Sequence, residues 1–398
     1  MFMKIAYICT EKLPSPAVKG GAIQMMIDGV SPYISQEHEL TIFSISDPIL
    51  PKQETKGSIH YIRFPQEEYE QQIIKILPTK NFDIIHVFNR PKNIPLYKQA
   101  SPNSRFVLGL HNDMFAEHKM TLSEGNLIIE MVTAIVTVSN YIKQTVIERF
   151  PQAEEKISIV YSGVDLTHSP SIWTPTGQEI RNKFRKKYAI QNKKVILFVG
   201  RLTKNKGPHI LIQAMKEIIQ AHQDTVLVIV GGKWFSDNSV NKYIRDLHKL
   251  ARPVKEHVIF TKFIPADQIH NIFLMGDIFI CSSQWNEPLA RVHYEAMAAG
   301  IPIITTNRGG NAEVITDEYN GLLVQQYNNP AEFTRLTNAL LSQQEFANWI
   351  AKNGRCVVEK NFTFMHTAQR LKQVYKQAAT SINLSTTKFK YSFKIQII

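Results

Sequence analysis

Short apolar runs recur along the chain, separated by stretches whose apolar residues return at helical spacing. Residues 4–10, 40–46, 58–64, 83–88, 105–110, 131–138 and 157–160 read as strands. Nearly continuous apolar runs of that length suit strands covered on both faces. Helical spacing runs over 22–35, 69–77 and 140–149, the last capped by Ser139. Between 168 and 192 the pattern breaks. Pro170, Pro175 and the basic run Arg181, Lys183, Arg185, Lys186 and Lys187 predict an interdomain connection with its charges on a solvated helix face. Strands then resume at 194–199, 225–230, 258–260, 277–280 and 301–305, with helices at 208–221, 241–250 and 267–275 and a helical region reaching about 380. Strands alternating with helices predict parallel sheets covered on both faces, here in two α/β domains.

The 398 residues fit two domains or more, and 44% hydrophobic content is enough for good cores. Cys9, Cys281 and Cys356 are too few and too scattered for a disulfide framework, which predicts a reducing, cytoplasmic setting. No apolar run is long enough to cross a bilayer. The net charge of +12 suits nucleic acid, an acidic membrane surface or anionic small substrates, without choosing among them. The basic run at 181–187 reads as solvated, so no nucleic acid is expected. The alternating tail at 386–398 reads as a strand or a loose end, with a peripheral membrane or partner contact as the alternative.

The stretch from Trp285 to Pro302 carries the densest candidate chemistry. Glu287 precedes Pro288, Glu295 lies among good helix formers, and Gly300 closes the run. Proline inside a helix start and glycine past its end predict Glu287 at the N-terminus and Glu295 about two turns in. Backbone N–H groups at such a start favour anions. Arg201 and Lys206 lie in a polar loop between a strand and a helix, and both suit phosphate oxygens. Gly20 and Gly21 sit in a strand–loop–helix turn that could let backbone approach a diphosphate. Gly309 and Gly310 could offer N–H groups, and His111 follows a strand end where open sheets bind ligands. Each has a plainer reading: exposed bases, tight turns, a structural histidine, Glu287 serving the helix dipole, and Glu295 paired with Arg291 at i, i+4. Asp-x-Asp, His-x-x-x-His, Cys-x-x-Cys, Walker and Gly-x-Ser-x-Gly patterns are lacking, and the Gly20–Gly21 spacing is not that of a dinucleotide fingerprint.

Taken together, Gly200-Arg201-Leu202 with Lys206-Gly207, the Glu287–Glu295 pair and the run Glu295-Ala296-Met297-Ala298-Ala299-Gly300-Ile301-Pro302 resemble the retaining glycosyltransferases of family 4. More narrowly, Trp285 to Glu295, Asn307-Arg308-Gly309-Gly310-Asn311 and Ser162-Gly163-Val164-Asp165 are similar to the spore-coat-associated glycosyltransferases of Bacillus-type bacteria. The resemblance implies a GT-B fold, two Rossmann-like α/β/α domains facing each other across a cleft. It divides the chain into an acceptor-side domain (1–168), a linker (169–193), a nucleotide-sugar domain (194–365), a helix packing back on the first domain (366–383) and a tail (384–398). It implies a nucleoside-diphosphate hexose donor of UDP type, an unidentified glycan, lipid or protein acceptor, spore-coat partners, and no cofactor or metal. Arg201 and Lys206 would hold the diphosphate, and Glu295 the ribose. Glu287 and His111 would act at the transferred sugar, and Gly20 and Gly21 would face the phosphates. Phe263 and Ile264 would lie near the base, and Leu289, Ala290, Gly309 and Gly310 would add backbone contacts. Ala290 departs from the family's usual glycine and places a methyl beside the sugar pocket. A structural spore-coat protein with weakened or lost activity is the second reading, and a nucleotide-sugar epimerase or a phosphorylase the third.

Overall fold

The computed structural model describes residues 1–234 and 237–380; the tail, expected to be a strand or a loose end, lies outside them. In the first domain, β1 (Lys4–Ile8), β2 (Glu39–Ile45), β3 (Gln53–Lys56), β4 (Ile59–Phe64), β5 (Ile84–Phe88), β6 (Arg105–Leu110), β7 (Ala134–Thr137) and β8 (Ile157–Ile159) form one sheet in the order β3-β4-β2-β1-β5-β6-β7-β8. Only the β3–β4 pairing is antiparallel. In the second, β9 (Lys194–Val199), β10 (Thr225–Val230), β11 (Val258–Lys262), β12 (Ile278–Cys281), β13 (Ile303–Thr306) and β14 (Leu322–Val324) are all parallel, in the order β11-β10-β9-β12-β13-β14. Each sheet reverses its winding at its first strand, with β1 between β2 and β5 and β9 between β10 and β12. The crevice outside such a switch point is where open α/β sheets hold ligands.

The unbroken apolar runs are explained by burial on both faces. All six residues of β10 are buried, as are Ile5 to Ile8 of β1. The C-terminal helix Phe364–Thr380 supplies Phe364, Ala368, Leu371, Val374 and Tyr375 to the core that holds Ile5, Tyr7, Ile27 and Ile84 of the first domain. Gly29 admits it, since a Cβ there would stand 2.3 Å from the Phe364 ring. Tyr375 Oη donates to Tyr7 Oη at 2.9 Å and lies 2.8 Å from His86 Nδ1, so the two phenols and one ring nitrogen are linked across the core. Burial of each large apolar side chain here contributes about 1.5–3 kcal/mol. The returning chain runs beside the outgoing one: Val164 N–H donates to Phe362 O at 2.9 Å and Phe364 N–H to Val164 O at 3.2 Å. A Cβ on Gly163 would come within 2.5 Å of the Thr363 backbone, so only glycine permits this approach.

The basic run is not the solvated face that composition suggests. Helix Pro175–Lys187 starts at Thr174, whose Oγ1 accepts from Gly177 N–H. Arg181 donates to Leu274 O and Gly276 O at 2.7 Å each and pairs with Asp277. Arg185 Nη2 meets Asp277 Oδ2 at 2.6 Å. Asp277 in turn accepts from Val195 N–H at 2.7 Å, tying this helix to the start of β9. Lys183, Lys186 and Lys187 remain exposed. Helix Leu122–Met131 was not foreseen, although Thr121 and Glu124 form a complete capping box in front of it.

Candidate active site in the cleft

The loop after β9 is stitched to the end of β12. Residues Lys204–Lys206 make one short 3₁₀ turn, and Gly207 follows at φ 72. A Cβ on Gly207 would lie 2.1 Å from Ser282 O. Ser282 Oγ donates toward Lys206 O and Gly207 O at 3.1 and 3.0 Å, and Gln284 N–H donates to Asn205 O at 2.7 Å. This fixes the Lys206 backbone, and its ammonium reaches Glu287 Oε1 and Oε2 at 2.7 and 2.8 Å. Glu287 Oε2 also accepts from Ser283 Oγ at 2.9 Å and Trp285 Nε1 at 2.7 Å. Burial opposes ionisation of this carboxyl, but Lys206 and the two neutral donors outweigh it and hold Glu287 below the usual carboxylate range. Glu287 is therefore an anion at neutral pH and unsuited to giving a proton. Arg201 lies 4.6 Å from the Trp234 ring centroid, and its charge acts on Glu287. The structure thus gathers Arg201, Lys206 and Glu287 at one place.

The helix expected to begin near Pro288 begins at Val292, so Glu295 lies in its first turn rather than two turns in. The intervening backbone is committed elsewhere, which prevents an earlier start. Glu287 O accepts from Gly310 N–H at 2.8 Å, and Ala290 N–H donates to Asn311 Oδ1 at 3.2 Å. Gly309 and Gly310 are required by contact: Cβ atoms there would lie 2.2 Å from Glu287 O and 2.1 Å from Pro288 O. The amides of Gly310 and Ala290 are thus engaged within the protein, and their role is to shape the loop. Leu289 and Ala290 are buried. His293, fully buried, bridges Ala290 O and Thr305 Oγ1 at 2.9 and 2.8 Å and holds the helix start against β13.

Glu295 is buried beside Arg291, whose Nη2 lies 3.3 Å from its Oε1, the i, i+4 partner that the spacing allows. Burial raises its carboxyl, with Arg291 pulling the other way. Arg291 Nη1 crosses to the first domain, donating to Ser162 Oγ and Gly163 O at 2.9 Å each. From that domain comes His111, whose N–H donates to Asn89 Oδ1 at 2.7 Å. Burial and then the Arg291 charge push its imidazole down to about 4, leaving it neutral at pH 7. Phe263 N–H is held by Asn238 Oδ1 at 2.7 Å, and Ile264 is buried beside it.

The Gly20–Gly21 loop follows β1, and both glycines have positive φ, 79 and 108. Gly21 stands at the N-terminus of helix Ala22–Ile34. Nearly two turns into that helix, Asp28 accepts from Ala17 N–H at 2.6 Å and Ser15 Oγ at 3.1 Å. Burial lifts its carboxyl to about 6, against those two donors. Glu313 of the second domain spans the cleft: its oxygens accept from Asn140 and Tyr141 N–H at 2.7 Å each and from Tyr161 Oη at 2.9 Å. Neither Asp28 nor Glu313 was singled out in the sequence. Among the described residues no three His, Cys, Asp or Glu side chains gather as a metal site, and no helix is long and apolar enough to cross a membrane.

Two parallel-sheet domains, each with a switch point at its first strand, and a basic loop facing Glu287 fit a glycosyltransferase of GT-B architecture. The chain belongs to the family 4 glycosyltransferases: Glycosyltransferase Family 4 matches residues 30–168, and Glycosyl transferases group 1 matches 180–357. It is 58% identical over 381 residues to YtcC of Bacillus subtilis (strain 168), a protein named for glycosyl transfer, covering 96% of this chain and 94% of that one. It is 47% identical over 375 residues to Spore coat protein SA of the same organism, covering 94% of this chain and all of that protein, 100%. Anabaena HepE, solved in complex with UDP and glucose, superposes with a TM-score of 0.74 over 94% of this chain and 99% of its own, at 20% identity, a likeness of fold.

Proposed function

We propose that this transferase moves a hexose from a UDP-type nucleotide sugar to an acceptor hydroxyl with retention of anomeric configuration and without a metal, in spore coat or envelope glycan assembly. The observation that carries this reading is the cluster of Arg201 and Lys206 around the ionised Glu287 at the β9 switch point. Arg201 and Lys206 would meet the diphosphate, and their charge would stabilise the leaving phosphate as it gains negative charge. Glu287 holds the Lys206 ammonium toward that place. Its Oε1 accepts one bond among the described residues, from Lys206, and so keeps acceptor capacity for a sugar hydroxyl. Glu295 would take the ribose hydroxyls, with Phe263 and Ile264 beside the base. Gly20 and Gly21 would face the phosphates from the opposite domain.

Glu287 is paired with the Lys206 ammonium and held by Ser283 and Trp285, so the geometry favours a hydrogen-bonding role for it over attack on the anomeric carbon. Front-face displacement is the mechanism that fits: the acceptor oxygen forms its bond to the anomeric carbon as the phosphate oxygen leaves from the same face. The acceptor proton passes to the departing phosphate. Neutral His111 would hydrogen-bond to the transferred sugar. The HepE structures with UDP and with UDP-glucose support the UDP donor class, and the resemblance to Spore coat protein SA supports the spore setting. The test is a panel of nucleotide sugars with the purified full chain, reading free nucleoside diphosphate and donor-induced thermal shift. UDP-sugar turnover that Glu295→Ala and Lys206→Ala abolish is expected. A panel that neither turns over nor shifts the melting temperature refutes the reading and favours a structural coat role.

A further inference from the structure

Two charged side chains beside the cleft keep polar atoms that the protein leaves unused. Arg308, two residues past β13, lays its guanidinium 4.1 Å from the Tyr327 ring centroid. Its Nε is buried and has no hydrogen-bond partner among the described residues. Asp113, three residues past β6 in the other domain, has a buried Oδ1 that also lacks a partner among them. Tyr141 relates the two: its N–H donates to Glu313 Oε1 at 2.7 Å, just past the Gly309–Gly310 turn that packs on the Asn286 backbone, and the charges of Asp113 and Arg308 both act on its phenol, which faces Asn286. No ion pair joins Asp113 to Arg308 among the described residues. Leaving a buried donor or acceptor unsatisfied costs about 1–3 kcal/mol, and here one of each is left open around Tyr141.

The surroundings hold Arg308 in position. The Tyr327 ring supports the flat guanidinium, and Gln284 Nε2 donates to Tyr327 O at 2.7 Å. Gln284 is the residue whose N–H holds Asn205 O in the Lys206 loop, so this corner continues the proposed donor end. Asn286 immediately precedes Glu287. A planar guanidinium presents paired donors that match a carboxylate or phosphate, whereas a carboxylate such as Asp113 accepts from hydroxyls. In the donor reading Arg201 and Lys206 serve the diphosphate, and half of the corner comes from the first domain. Both points favour the acceptor side.

We propose that Asp113, Tyr141, Asn286 and Arg308 form the acceptor subsite, and that this subsite takes a glycan acceptor carrying a carboxylate or phosphate on Arg308 and a hydroxyl on Asp113. The inference rests on the donor reading above. The test titrates 4-nitrophenyl glucoside, 4-nitrophenyl glucuronide and 4-nitrophenyl glucose 6-phosphate into the UDP-saturated full chain by calorimetry. The charged ligands bind at least about tenfold tighter than the neutral one, consistent with one charge-assisted contact. Arg308→Gln removes that preference, Arg308→Lys keeps part of it, and Asp113→Asn weakens all three ligands. Equal binding of charged and neutral ligands, or a preference that survives Arg308→Gln, overturns the subsite. A preference for UDP-glucuronate over UDP-glucose that Arg308→Gln abolishes assigns the anionic group to the donor and overturns the acceptor assignment. Titration with UDP alone separates the two readings: wild type that binds UDP without charge preference refutes this subsite only. Wild type that binds no nucleotide refutes the donor reading beneath it.

Discussion

Each domain anchors the loop after its first strand on a buried carboxylate, and the two carboxylates behave in opposite ways. Glu287 meets an ammonium and two neutral donors, and its carboxyl is held low. Asp28 meets one amide and one hydroxyl, and burial lifts its carboxyl to about 6. The difference teaches how a loop can be made ready for an anion. In the second domain the cation that would bind phosphate is already oriented and compensated before any ligand arrives. In the first domain the loop is held by neutral donors, and the Gly20–Gly21 turn offers backbone rather than charge.

The sharpest way to break this contrast is to remove the cation. Lys206→Met strands Glu287 as an unpaired buried anion and destabilises the chain by about 3–5 kcal/mol, measured by urea unfolding. Lys206→Met combined with Glu287→Leu recovers much of that loss. If the single and double variants are equally unstable, the pair is not the anchor described. Asp28 gives the converse result through pH. Its folded value stands above the unfolded 3.8, so its contribution to stability is complete below the unfolded value and is lost as pH rises through about 6. At 1.36 kcal/mol per unit the loss reaches about 3 kcal/mol. Relative to wild type, Asp28→Asn should therefore gain stability between pH 4 and pH 7, and a difference that stays flat with pH contradicts this.

A smaller effect is expected at Gly309, whose φ of 58 and 2.2 Å approach to Glu287 O forbid a side chain. Gly309→Ala costs about 2 kcal/mol and displaces the Glu287 loop, so donor affinity falls with stability; retained donor affinity argues that the loop does not shape the site. The smallest effect concerns the contact between the domains. Glu313→Gln weakens the cap on helix Asn140–Ile147 by about 1 kcal/mol. Small-angle scattering of this variant should show a wider spread of domain arrangements, and an unchanged profile would deny Glu313 that role.

Much of the architecture is legible in the sequence because parallel strands buried on both faces leave plain apolar runs, as at 225–230 and 194–199. Arg201, Lys206 and Glu287 are brought together at one site, as the resemblance to family 4 implies. The late helix start at Val292 was hidden because it depends on Gly310 and Asn311, distant residues that engage the intervening backbone. The basic helix was misread for a similar reason: Asp277, about ninety positions away by the separations 96 and 92, draws Arg181 and Arg185 inward. Local spacing also could not choose whether Glu295 pairs with Arg291 or stands free. Asp28 escaped notice because a lone aspartate in a helix carries no sign of the loop it will hold.

The helix Phe364–Thr380 sets an order of events during synthesis. Its Phe364, Leu371 and Tyr375 complete a core begun by Ile5 and Tyr7, so the first domain to leave the ribosome lacks a wall until the second has been made. The second domain, continuous from helix Pro175–Lys187 to helix Gln344–Asn361, has its own parts in hand earlier. A nascent chain stopped before Phe364 therefore exposes the apolar surface around Gly29, and the segment that closes the first domain is translated after the whole of the second.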